Sequence, residues 1–296
     1  LYSFSNSKRG NAMRDCGFFD EVCSFKLGSF ACWCVSDGGH TYSVESVFAD
    51  VPAAEAAGEL RRLGQPADNI TTPYTQLVVD TGDHRVLVDM GAGSLFDTTG
   101  RLPGNLRAAG VDPAQVDVVV ITHAHPDHIS GVLDREGHLA YSNAHYFIGR
   151  DEYAFWASEV ALEKWPADWV MGIRAALKVM EDRLSLVERE GDIVPGVSTI
   201  PAPGHTSGHM VVSFKSVGQE LLYVGDLALH TLQLEHAAWL PQPIFWLDPE
   251  RAAASQRRVF DHAADTGALV IGHHFIPFPS LGRVVRQGEG WQWRPL

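Results

Sequence analysis

Residues Thr122-His123-Ala124-His125-Pro126-Asp127-His128 place three imidazoles and one carboxylate within six positions. Such side chains are nitrogen and oxygen donors for borderline divalent cations such as zinc. Imidazoles two residues apart converge where a strand ends, and the adjacent Asp and His turn toward a second centre as the chain enters a helix, so the spacing predicts two metals. Three His with no Cys nearby suit a catalytic ion with an open position rather than a closed structural site. Coordination lowers the pKa of water from about 15.7 to about 7, and a second ion polarises a carbonyl or phosphoryl oxygen. The expected chemistry is hydrolysis by a metal-bridging hydroxide.

Six residues cannot surround two ions, so further ligands must come from other segments. His205 follows Pro201-Ala202-Pro203-Gly204, Asp226 follows Leu221 to Gly225, and His273 and His274 follow Ala268 to Gly272. Each lies just past an apolar run, where open α/β sheets collect ligands beyond the carboxyl ends of their strands. His40, His84, His138, His145, His209, His236 and His262 have no such context and read as surface or hydrogen-bonded groups. His230 stands four residues after Asp226, next to Leu229, within reach of a pocket. Trp165, Trp169, Phe245 and Trp246 are candidates for its apolar wall. Gly-x-Ser-x-Gly, Gly-x-x-x-x-Gly-Lys and Gly-x-Gly-x-x-Gly are all missing, so serine-hydrolase and nucleotide chemistry lack motif support.

Elements must hold these residues in place. Asp117 to Thr122 is a compact, mostly β-branched run, which predicts a strand buried on both faces and ending at the histidine-rich loop. Gln76 to Val79 and Arg85 to Asp89 flank Asp80-Thr81-Gly82-Asp83 and predict a β-hairpin. Ser29 to Ser36, Val197 to Ile200, Met210 to Phe214, Leu221 to Val224 and Ala268 to Ile271 read as further strands. Helices are expected at Ala53 to Leu63, Leu102 to Ala109, Glu152 to Trp156, Gly172 to Arg183 and Pro249 to Ala264. Strands bounded by helices in both halves, with no Pro-, Gly- or Ser-rich linker, argue for one layered domain.

The chain has 296 residues, 45% hydrophobic, and at that length it buries about three quarters of its unfolded surface without staples. A formal charge of −13 repels a nucleic-acid backbone. No apolar run approaches the roughly 18 residues of a bilayer span. Leu1 to Asn11 lack the apolar core of a secretory signal, which sets a cytoplasmic expectation. Residues 1–12 are set aside as a leader or as residues ahead of Met13, and residues 13–296 as the domain. Residues 13–30 are expected either to cross to a second copy, giving a homodimer, or to cover their own sheet. Cys16, Cys23, Cys32 and Cys34 all lie early and cannot staple the chain. Cys32 and Cys34 share one strand face and read as small buried hydrophobes.

Taken together, His123-Ala-His125-Pro-Asp127-His128, Gly204-His205-Thr206, Gly225-Asp226 and Gly272-His273-His274 resemble the metallo-β-lactamase-fold hydrolases. Asp89-Met90-Gly91 resembles that family's early Asp-x-Gly element, so the likeness runs from about Gln76 to His274. The resemblance implies an α+β or α/β fold, a four-layered αβ/βα sandwich with its metals at one edge. It implies one ion on His123, His125 and His205, another on Asp127, His128 and a last-loop histidine, Asp226 bridging them, and Asp89 supporting the ligands from behind. Asp127 and Asp226 are then the catalytic carboxylates. Gly272-His273-His274-Phe275 before Pro277-Phe278-Pro279 resembles Gly-x-His-Phe tails in the family, which favours His274 over His273.

Asp226 rather than Cys departs from β-lactamases, and His125 rather than Glu departs from diiron oxygen reductases. The segments Phe30 to Gly38, Phe48 to Pro52 and Phe275 to Gly282 resemble the branch that holds methyl parathion hydrolase and N-acyl-homoserine lactone lactonases. Expected cofactors are two divalent ions, Zn2+ first, with Mn2+, Co2+ and Fe2+ suiting the same donors. The expected partner is a small apolar ester, lactone or phosphotriester, not nucleic acid or membrane. Several lactonases carry Tyr three residues after the bridging Asp, where this chain has Leu229; leaving-group protonation then falls to Asp127 or to metal-bound water. The alternatives are a glyoxalase-II-like thioesterase and a metal-binding protein without turnover.

Overall fold

The computed structural model describes residues 21–134, 136–188 and 190–296. Residues 1–12 and Cys16 therefore lie outside the described residues. One sheet holds β1 (Val22–Leu27), β2 (Phe30–Ser43), β3 (Asn69–Asp80), β4 (Arg85–Val88), β5 (Val118–Ile121), β6 (His145–Gly149) and β7 (Leu184–Val187), side by side in chain order. The other holds β8 (Gly191–Val194), β9 (Val197–Pro201), β10 (Met210–Ser216), β11 (Gln219–Tyr223), β12 (Leu269–Ile271), β13 (Leu281–Gln287) and β14 (Gly290–Pro295), ordered from β14 to β8.

The β5 sequence Val-Val-Val-Ile shows why the layers form. Strand side chains alternate in direction. Val118 and Val120 enter the core between the sheets, while Val119 and Ile121 enter the core under the helices Leu102–Ala108 and Ala167–Met180. On the far side, Val211, Leu222 and Val270 pack against Val259, Phe260 and Ala263 of the helix Pro249–Thr266. Three cores thus separate four layers, helix, sheet, sheet, helix. Each fully buried Val, Leu, Ile or Phe contributes roughly 1.5–3 kcal/mol. Cys32 and Cys34 lie fully buried in the inter-sheet core, where burial pushes the Cys32 thiol up to about 12. They act there as small hydrophobes.

Strand direction places the ligand-bearing loops together. β4 and β5 are parallel, as are β11 and β12, and β9 runs with them because both β9 and β11 are antiparallel to β10. The carboxyl ends of these strands meet at one edge. There Met210 N donates to Thr122 O at 2.9 Å and Asp89 N donates to Val120 O at 3.0 Å, locking the loops to one another.

Several elements depart from expectation. β2 runs on to Ser43 past Asp37-Gly38-Gly39, because its second half pairs with β3 from Gly39↔Pro73 to Ser43↔Asn69 after a bulge. Gly38 sits at φ 108°, and a Cβ there would lie 1.9 Å from Thr98 O, so only glycine fits. The helix expected at Gly172 to Arg183 is Ala167–Met180, starting directly after Pro166. β1 pairs with β2 of the same chain and forms the edge strand of this sheet; residues 13–20 lie outside the described residues.

Candidate metal centre

Past β5, Pro126 opens the short helix Pro126–Ile129, which turns His123 and His125 one way and Asp127 and His128 the other. Two groups of donors result: His123, His125, His205 and Asp226, and Asp127, His128, His273 and His274. In the first, His123 Nε2 lies 3.2 Å from His125 Nδ1, 3.0 Å from His205 Nε2 and 3.7 Å from Asp226 Oδ2. In the second, His274 Nε2 lies 3.3 Å from Asp127 Oδ2. Asp226 reaches both groups, with Oδ2 at 3.3 Å from His205 Nε2 and 3.4 Å from His274 Nε2, and Oδ1 at 3.2 Å from His128 Nε2.

These spacings fit shared cations. Ligand atoms bound at roughly 2.0–2.1 Å around a tetrahedral ion stand about 3.3 Å apart. The donor chemistry agrees. Asp89 Oδ2 accepts from His128 Nδ1 at 2.7 Å, so in the neutral, metal-binding ring Nε2 is bare and faces Asp226 Oδ1, where without an ion, and against the cost of burial, the carboxylates of Asp226, Asp89 and Asp127 raise the His128 pKa well above its usual range. His128 Nε2 and Asp226 Oδ1 are buried without a hydrogen-bond partner among the described residues. Two acceptors held face to face out of water call for a cation. In the same way Thr122 Oγ1 donates to Asp89 Oδ2 at 2.8 Å and so accepts from His123 Nδ1 at 3.1 Å, freeing His123 Nε2.

Electrostatics keep some of the donors neutral and place a proton on another, which a bound ion must displace. Burial, reinforced by neighbouring imidazoles, holds His123 and His125 well below the usual range and therefore neutral, the form that binds metal. Against the cost of burial, the Asp226 and Asp127 carboxylates lift His274 to about 9. Burial likewise opposes the ionised form of Asp226, but His274 and His128 outweigh it and hold the carboxyl well below its usual range.

Both last-loop histidines are buried. His274 lines the cleft above the donors, whereas His273 Nδ1 bonds to the Tyr223 hydroxyl at 3.0 Å and its Nε2 has no partner among the described residues. The sequence reading missed Glu152 and gave His209 only a surface or hydrogen-bonded role. Glu152 accepts from Ala124 N, Trp156 Nε1, Thr206 Oγ1 and Gly208 N at 2.6–3.0 Å, clamping the loop after His205 to the residue between His123 and His125. His209 Nε2 accepts from Asp226 N at 3.1 Å.

An open cleft leads to these donors. Trp169, Phe245 and Leu229 line it, joined by Val47, Leu95 and Phe96 and by the polar Tyr42, Thr72 and Tyr74. Burial pushes both tyrosines well above the usual phenol range, so they stay neutral. His230, Trp165 and Trp246 do not line the cleft. Both ring nitrogens of His230 are engaged, with Gln65 Oε1 at 2.9 Å and the Leu232 amide at 3.1 Å. Trp165 packs on Phe155 and Trp156 and donates to Ile244 O at 2.9 Å. Trp246 is buried edge-on to His205, with ring centroids 5.6 Å apart.

Known proteins are similar to this chain in sequence and fold. AidC, a dizinc quorum-quenching lactonase solved with a product, is 27% identical with a TM-score of 0.87, over 93% of this chain and 97% of its own. AbOPH, a hydrolase in the beta lactamase superfamily, is 26% identical with a TM-score of 0.84 over the same shares, 93% and 97%. A ribonuclease Z from Limosilactobacillus fermentum is 27% identical over 219 residues, or 72% of this chain, and the chain spans 63% of that relative's length. The metallo-beta-lactamase superfamily profile matches residues 72–273. With donors, layers and profile in agreement, the chain belongs to the metallo-beta-lactamase superfamily.

Proposed function

We propose that this metal-dependent hydrolase acts on a small, apolar carboxylic ester or lactone, acyl-homoserine lactones included, with phosphotriesters as the second substrate class. The observation that carries the proposal is a two-group His and Asp centre at the floor of a cleft walled by Trp169, Phe245, Leu229 and Phe96. In this scheme His123, His125 and His205 hold one ion and Asp127, His128 and His274 the other, with Asp226 between them. Zinc suits these donors, as do manganese, cobalt and iron. When bound, such ions lower the pKa of water toward neutrality and draw charge from a substrate oxygen.

The chain's own residues do the rest. Trp169, Phe245 and Leu229 receive an acyl or aryl group and displace water from it, since ligand sites are mostly apolar with a few polar anchors. Asp127 Oδ2 presents a carboxylate oxygen beside the reacting bond. The likeness to AidC favours the lactone, and the likeness to AbOPH keeps the phosphotriester in view. A nuclease is disfavoured by the charge of −13.

Elemental analysis with initial rates on one sample tests this. About two metals per chain and chelator-sensitive turnover of an acyl-homoserine lactone or aryl ester are expected. A metal-loaded protein inert toward lactone, ester and phosphotriester defeats the proposal, and hydrolysis of a glutathione thioester alone replaces it with the thioesterase.

A further inference from the structure

Tyr42 on β2 and Tyr74 on β3 bring their hydroxyls to 2.5 Å from each other in the wall of the cleft. The strand register sets Tyr42 opposite Ile70, four residues before Tyr74, so both rings leave the same face of the pair. Two phenols carry two O–H protons, and one hydrogen bond between them uses one. The second O–H has no acceptor among the described residues, and both tyrosines line the cleft beside Thr72, Asp127 and His274. Thr72, the other hydroxyl there, is engaged with His274 Nδ1 at 3.3 Å. The dyad also stands beside the donors, since the Tyr74 ring lies edge-on to His274 with centroids 5.2 Å apart.

We infer that the Tyr42–Tyr74 dyad donates a hydrogen bond to the substrate oxygen on which negative charge builds during attack. The donor accepts from its partner hydroxyl, and such chaining polarises an O–H and strengthens what it gives. Its position is fixed by strand pairing before substrate arrives, so charge stabilisation there needs no reorganisation. This role rests on the ester or lactone hydrolase assignment. Tyr42 and Tyr74 would then be catalytic residues supplied by β2 and β3, taking the place that Leu229 leaves without a hydroxyl.

The test is the metal-loaded Tyr42→Phe, Tyr74→Phe and double variants. Removing one preorganised oxyanion donor costs about 100-fold or more in kcat. The double variant is expected to lose about 100-fold in kcat with KM within about threefold, each single variant losing less because one O–H remains. Metal content and the thermal midpoint should match the parent. Calorimetric binding of an aryl methylphosphonate, a tetrahedral anion, should weaken by at least about tenfold in the double variant. A double variant with the parent's kcat and phosphonate affinity overturns the inference. If the parent turns over no ester or lactone, the substrate assignment fails on its own, and the phosphonate affinities still decide whether the dyad is a donor.

Discussion

Glu152 illustrates what one residue contributes. Its carboxylate is fully buried with no cation beside it among the described residues, and four N–H or O–H donors supply its solvation. A hydrogen bond to a charged group contributes about 1.5–3 kcal/mol, and a stranded buried donor costs about 1–3 kcal/mol. Glu152→Gln turns an NH2 group toward those donors, so a loss of about 2–3 kcal/mol in urea unfolding is expected. Because Glu152 holds Ala124 and the loop after His205, the variant should also bind metal less fully on the His123, His125 and His205 side. Full metal content with an unchanged unfolding curve would remove this role. Nothing in the sequence marks Glu152, since its donors lie up to 56 residues away and it sits in the helix Arg150–Ala157 as an ordinary first-turn acid.

At the scale of elements, the loop from β9 to β10 depends on a close approach. Gly204 has φ 141°, and a Cβ there would meet Ala252 N at 2.2 Å, at the start of the helix Pro249–Thr266. Gly204→Ala must push loop and helix apart and adopt a strained backbone, so a loss of more than about 2 kcal/mol in stability is expected. A melting curve superposable on the parent's would show that the contact yields freely. Elements with local signals were legible: the β3–β4 hairpin from its turn, β5 from its β-branched run, and the helix Ala53–Arg62 from the Pro before it. β1, β6, β7, β8, β13 and β14 were not. Strands such as β7 (Leu-Ser-Leu-Val), half-buried throughout, and β13, ending in Arg-Gln, draw their structure from partners that a local pattern does not show.

Across the whole molecule, Asp37 ties β2 to the loop that carries Leu95 and Phe96 to the cleft. Its carboxylate accepts from Ala92 N, Gly93 N and Leu102 N at 2.8–3.2 Å. Burial outweighs those amides and lifts its pKa from about 3.8 to about 6. Between these values the folded chain keeps a proton that the unfolded chain has lost, so stability falls as pH rises through the interval and levels off above it. Two pKa units correspond to about 3 kcal/mol. Unfolding free energies of the parent relative to Asp37→Asn should therefore decline from about pH 4 to about pH 6, and a flat difference would contradict the ionisation.

The donor residues were readable from sequence because the chemistry is written locally. His123, His125, Asp127 and His128 occupy one loop, and His205, Asp226, His273 and His274 each follow an apolar run. Strand direction then brings those loops to one edge whatever lies between them. Tertiary structure alone decided the surroundings. It turned His230, Trp165 and Trp246 away from the cleft by giving them hydrogen bonds and packing elsewhere, and it brought in Tyr42, Tyr74, Glu152 and Asp37. The reason is physical: a residue type states what a side chain can bind, while its direction is set by neighbours distant in sequence that compete for the same ring, carboxylate or hydroxyl.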